Sequence, residues 1–251
     1  MPKYDDGLPF RVSQQLLRRI MRKEFPPGTV LPSEREIGET YSVSRPVARE
    51  AIKLLAARGL VTVHPRQGAT VGHDLTGAAG EALLLAFHQA DAVQADLLHL
   101  RLLLEPQVAG LAASHATFAQ QRRMSIIRQH LQTLHAALDA DDFERAHALW
   151  PQTDQPLHVL LGEMCQNAVF KVFVEIINTI LWTNTQEVIP EMSKENLRIA
   201  SNHHLAICDA VLIGDSEAAH AAMVSHLEYT RDHIFSRHNQ LHELIQIVID
   251  A

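Results

Sequence analysis

The rhythm of hydrophobic and polar positions changes twice along the chain. Over 10–25, apolar residues recur at Val12, Leu16, Leu17, Ile20 and Met21 with arginines opposite, a spacing that predicts an amphipathic helix stopped by Pro26, Pro27 and Gly28. A second helix is expected after Pro32, where Ser33 and Glu36 have the spacing of a capping box, and it reaches Tyr41. Ser42, Val43 and Ser44 form a short turn. Ser44 is placed to cap a third helix that carries Pro46 in its first turn, passes Ile52, Leu54 and Leu55, and stops at Gly59. The period then falls to two: LVTVHP and ATVG read as short strands flanking Arg66-Gln67-Gly68. Helix, helix, turn, helix and hairpin is the order of a winged helix-turn-helix.

From Leu83 onward the helical rhythm returns and no strand is convincing. Amphipathic segments near 81–90, 93–115, 119–138, 142–150, 156–164, 168–188, 193–213 and 216–243 imply a bundle of roughly six to eight helices. The expected fold is mostly α: a winged helix-turn-helix head over 1–72, a linker over 73–82 (within GHDLTGAAGEA), and an all-α bundle over 83–245.

Composition adds little to this picture, and charge adds more. Apolar residues make up 47% and charged residues 20% of the 251, as in an ordinary globular protein. Two cysteines, Cys165 and Cys208, cannot build a disulfide framework and read as reduced thiols. With no apolar leader and no run of membrane-spanning length, the chain is expected to be cytoplasmic, with no membrane partner. The net charge of -7 is unevenly shared: residues 1–72 hold 12 Lys+Arg against 7 Asp+Glu, whereas the remainder holds 10 against 22. A basic head on an acidic body is a footprint of nucleic-acid binding, and on charge alone also of two ordinary domains with different isoelectric points.

The arginines choose between these. Arg45 and Arg49 stand four apart at the N-terminal end of the third helix, the end that enters the major groove in helix-turn-helix proteins, where arginine forks suit the O6/N7 pair of guanine. Ser44 and the helix N-terminus can take a phosphate. Arg35 on the preceding helix can hold the backbone or reach a base. Gly68 lets the wing tip approach a duplex, with Arg66 beside it. Double-stranded DNA is the expected partner.

In the body, four positions stand out among the histidines. Asp154 and His158 are four apart on one helix; His204 and His226 lie on two adjacent helices across Gly214-Asp215, with His203 as a rival for His204. Three imidazoles and a carboxylate make a candidate site for a divalent transition metal, although spacing alone leaves them as ordinary helical residues too.

LPSERE, SRPVAREAI, GLV and RQGATV together resemble the GntR family of bacterial transcription regulators over roughly residues 8 to 72, with Pro46 one place earlier than in many members. The resemblance implies that Arg35, Ser44, Arg45, Arg49 and Gly68 contact an operator. The body resembles the ligand-binding FCD domain of the FadR subfamily in pieces from about 92 to 235, through RLLLEP and AASHAT, DQPLH with Asn167, HLAI and SHL. It implies metal ligands at Asp154, His158, His204 and His226, and pocket-lining groups at Arg101 and Asn167. Leu157 stands where an aromatic is usual, and Pro156 is tolerable only in the first turn of its helix. Zinc is the default ion, with nickel and manganese open. The reading is a homodimeric repressor, not an enzyme, that binds a pseudo-palindromic operator under control of a small carboxylate metabolite. The alternative is a metal-dependent enzyme or direct metal sensor fused to a DNA-binding head, but neither an HExxH motif nor a paired-carboxylate site accompanies the ligands.

Overall fold

A computed structural model describes residues 7–72, 76–90, 92, 94–188 and 192–234. The chain divides into two compact units between Ala79 and Gly80.

The first unit is the expected head. Helix α1 (Leu8–Met21) buries Val12 and Leu16, and α2 (Glu34–Tyr41) starts at a complete capping box. There the Ser33 N–H donates to the Glu36 carboxylate at 2.8 Å while the Glu36 N–H donates to Ser33 Oγ at 3.3 Å. Helix α3 (Arg45–Ala56) turns Ala48, Ala51, Ile52 and Leu55 onto α1 and α2. Strands β1 (Val61–His64) and β2 (Gly68–Val71) pair antiparallel with Val61 opposite Val71 and His64 opposite Gly68. On β2's other edge, the Gly28 N–H donates to Val71 O and the Leu31 N–H to Ala69 O, so the wing is anchored to the α1–α2 connection.

Two expectations need correction here. Helix α1 ends at Met21, before the prolines, because Lys23 takes a left-handed φ of 61° and the Glu24 N–H returns to Arg19 O, closing the helix as a glycine would. Met21, nine residues after Val12, falls on the opposite face of α1 and is 71% exposed.

From α4 (Thr76–Gln89), which spans the division, the described elements are all helical: α5 (Gln94–His115), α6 (Phe118–Asp139), α7 (Phe143–Leu149), α8 (Asp154–Met164), α9 (Ala168–Val188), α10 (Lys194–Ile213) and α11 (Ser216–Tyr229). The breaks between them are cap residues: Thr117, Asp142, Ser193 and Asp215 each accept the backbone N–H three residues on. Helix α5 runs through the bundle against α8, α9, α10 and α11, and its Val108, Ala109 and Ala112 join Leu157, Leu161, Ile207, Val211 and Met223 in the main core. The segment read as a linker is helical from Thr76, because its alanines and leucines outweigh Gly77 and Gly80; residues 73–75, and the tail 235–243 of the last expected helix, lie outside the described residues.

Candidate functional site

The body's site is built by helix geometry. Helix α8 begins at Asp154, after a 3₁₀ turn over Trp150–Gln152. Pro156 therefore falls in the first turn, where its missing N–H costs nothing, and Asp154 and His158 share a face. Helices α10 and α11 are joined through Gly214 in a left-handed cap and Asp215, and His204 and His226 lie at nearly equal distances from that turn, so the packed pair brings them opposite one another.

The four groups meet. One ligand atom from each of Asp154, His158, His204 and His226 lies within 4.8 Å of the others. His204 Nε2 is 3.4 Å from His226 Nε2, and Asp154 Oδ1 is 3.5 Å from His204 Nε2 and 3.9 Å from His158 Nε2. The three rings are buried, whereas Asp154 keeps 22% of its side chain exposed. Burial pushes the His204 and His226 imidazoles well below their ordinary range, helped by repulsion from His158 and Arg101. Both therefore stay neutral with lone pairs free. Burial also raises the Asp154 carboxyl, against the pull of His158 and Arg101.

This donor set fits a divalent ion. A tetrahedral ion with metal–nitrogen bonds of about 2.0–2.1 Å keeps neighbouring nitrogens about 3.3 Å apart, close to the observed His204–His226 separation. The Nδ1 atoms of His204 and His226 are buried without a hydrogen bond. Trp150 stacks on His204 with ring centroids 5.0 Å apart and holds that ring in place. His203, the rival, is directed to Tyr229 instead.

The two groups expected to line a pocket behave differently. Arg101 is buried behind His158 and forks onto Glu105, with Nε to Oε1 at 2.6 Å and Nη2 to Oε2 at 3.3 Å. Asn167 is not brought to the cluster: its Oδ1 accepts the N–H groups of Val169 and Phe170 and caps α9. Sequence reasoning missed Glu105 and Asn178, which stand behind the ligands. Glu105 was legible as the carboxylate four residues after Arg101; Asn178 carried no signal.

In the head, Arg35, Ser44, Arg45, Arg49, Arg66 and Gly68 are all exposed. Ser44 stands at the N-terminus of α3 by its backbone, yet its side chain makes no cap hydrogen bond, so the hydroxyl and the first N–H groups of α3 remain open. Arg49 forks onto Glu34 at 2.8 and 3.1 Å, and Arg35 pairs with Glu39 at 3.0 Å. Arg45 and Arg66 make no hydrogen bond or ion pair with the described residues. Arg66 holds a left-handed φ of 65° in the turn that the Gln67 N–H closes onto His64 O.

A winged helix-turn-helix joined to a helical bundle with a buried ligand cluster defines a transcription regulator. Comparison with known proteins specifies which kind. Residues 10–71 match the bacterial regulatory proteins of the gntR family, and residues 96–229 match the FCD domain. The chain is 32% identical over 225 residues to YieP, an HTH-type transcriptional regulator of Escherichia coli, covering 86% of this chain and 90% of YieP. It is 30% identical to NanR, an HTH-type transcriptional repressor of Citrobacter rodentium, covering 86% of this chain and 81% of NanR. Among solved structures, a GntR protein of Streptococcus agalactiae superposes with a TM-score of 0.65 at 26% identity, over 89% of this chain and 98% of that one. The chain belongs to the GntR family, in the FadR subfamily that carries an FCD domain, and its relatives are transcription regulators, not enzymes. Among the described residues, no helix is long and apolar enough to cross a membrane.

Proposed function

We propose that the protein is a homodimeric, metabolite-responsive repressor whose two heads occupy the half-sites of a pseudo-palindromic operator. The observation that carries the responsive half is the convergence of Asp154, His158, His204 and His226 on one point of the bundle. In this reading Arg45 and Arg49 reach base edges, while Arg35, Ser44, Arg66 and Gly68 fix the head on phosphates. The repressor assignment leans on NanR, which is a repressor by name.

A divalent transition metal, zinc by default with nickel or manganese as alternatives, would be held by the four ligands and would supply a positive centre that attracts a carboxylate. The chain's own residues do the rest. Asp154, the one ligand with exposure, stands on the side from which a small organic acid enters; His204 is fixed by Trp150. Arg101 adds positive charge from behind His158. A bound acid favours one arrangement of the bundle, and a coupling of about 1–3 kcal/mol between acid and operator suffices for a switch.

The test is selection of binding sites from random duplex DNA by the full-length protein, repeated with zinc and a panel of hydroxy acids, sugar acids and dicarboxylates. An inverted repeat whose affinity drops severalfold with one acid supports the reading. Recovery of unrelated sequences, or affinity indifferent to every acid and to chelator, contradicts it.

A further inference from the structure

Behind the ligand cluster lies a buried network centred on Glu105, a residue that the operator and effector readings leave without a role. Glu105 is 2% exposed, and its oxygens receive Arg101 Nε at 2.6 Å, Arg101 Nη2 at 3.3 Å, Asn178 Nδ2 at 3.3 Å and His158 Nδ1 at 2.5 Å. Arg101 and Asn178 are themselves buried, at 6% and 5% exposure. Helices α5, α8 and α9 thus each send one or more polar groups to the same carboxylate. Taking an ion pair out of water is unfavourable unless further hydrogen bonds complete it, and this one is completed by the ring of a candidate ligand.

The ring can use only one of its neighbours as an acceptor. Arg101 Nη2 lies 3.2 Å from His158 Nδ1 and 3.1 Å from Nε2, but a guanidinium has no lone pair to offer. A proton on Nδ1 therefore goes to Glu105, which leaves Nε2 as the ring's lone-pair nitrogen, with Arg101 Nη2 at 3.1 Å and Asp154 Oδ1 at 3.9 Å. The other two imidazoles have no such support, since the Nδ1 atoms of His204 and His226 have no hydrogen-bond partner. His158 alone is oriented by a carboxylate.

We propose that Glu105 is the positioning residue of the metal site, fixing the tautomer and angle of His158, and that Arg101 and Asn178 serve to seat Glu105. This rests on the metal reading above and changes one part of the sequence expectation: Arg101, expected to line a ligand pocket, is committed to an internal carboxylate. Outer carboxylates of this kind typically contribute about 10–100-fold to metal affinity.

The experiment titrates the full-length, chelator-treated protein with cobalt(II) and zinc(II) in competition with a chromophoric chelator. It compares the wild type with Glu105→Gln and with the double variant Arg101→Met/Glu105→Gln, in which no unpaired buried cation is left to unfold the bundle. Each variant that folds should still bind one ion, about 10–100-fold more weakly, with a displaced cobalt visible spectrum that a purely structural role would not produce. Asp154→Ala, by contrast, should lose a ligand outright. A folded variant with wild-type affinity and an unchanged cobalt spectrum overturns the assignment of Glu105 alone. Failure of the wild type to bind either ion overturns the metal reading and this assignment with it.

Discussion

Arg49 is committed twice over, once to Glu34 in the free head and once, in the proposed complex, to a guanine. The bidentate contact at 2.8 and 3.1 Å holds the guanidinium extended off α3, and with Arg49 exposed and Glu34 only half-buried the pair adds little to stability. Its effect is orientation: the fork is already spread, and binding exchanges one planar acceptor pair for another. Arg49→Ala should weaken operator binding about tenfold to a hundredfold and relax specificity at one base position. Fluorescence anisotropy on the selected operator and on its single-base variants checks both; a uniform loss across all variants would place Arg49 on a phosphate. The four residues that converge in the body were legible at this same scale once DQPLH, HLAI and SHL were set beside the FCD domain. The occupation of Arg101 by Glu105 and the use of Asn167 as a cap were not, because each depends on which neighbour reaches a polar group first in three dimensions.

At the scale of elements, the tight point of the head is the turn between α2 and α3. Ser42 adopts a left-handed φ of 54°, and the Val43 N–H returns to Gly38 O at 2.9 Å. A Cβ on Gly38 would stand 2.8 Å from Val43 O, a backbone atom that cannot swing away. Helix propensity alone favours alanine over glycine by about 0.8–1 kcal/mol, whereas overpacking costs about 1–3 kcal/mol, so the clash should win. Gly38→Ala is expected to lower the melting temperature of the head and to weaken DNA binding through a displaced α3; a variant that melts higher with full affinity would mean that the turn relaxes freely. Periodicity and caps made most elements legible: the capping box at Ser33, the hairpin around Arg66-Gln67-Gly68, and the α8 start that rescues Pro156. The end of α1 was hidden because a lysine, not a glycine, takes the left-handed position. The helical stretch from Thr76 was hidden because two glycines in GHDLTGAAGEA read as a break although their neighbours are strong helix formers.

At the scale of the whole molecule, the charge split and the buried ligands belong to one account. The basic head meets phosphates, so its affinity for DNA should fall steeply with salt. In the proposed reading the acidic body holds its signal in the cluster of Asp154, His158, His204 and His226, whose three imidazoles are buried. An ion bound there stabilises the folded state in proportion to its occupancy, about 2.7 kcal/mol when the free ion is at a hundred times its dissociation constant. The most direct measurement is elemental analysis of the purified protein beside His204→Ala, with thermal melting before and after chelation. The account predicts one transition-metal ion per chain in the wild type, a melting temperature several degrees lower after chelation, and loss of both ion and shift in the variant, while affinity for the operator survives. A wild type without metal whose melting ignores chelator, or a His204→Ala protein that still binds a full equivalent, would contradict it.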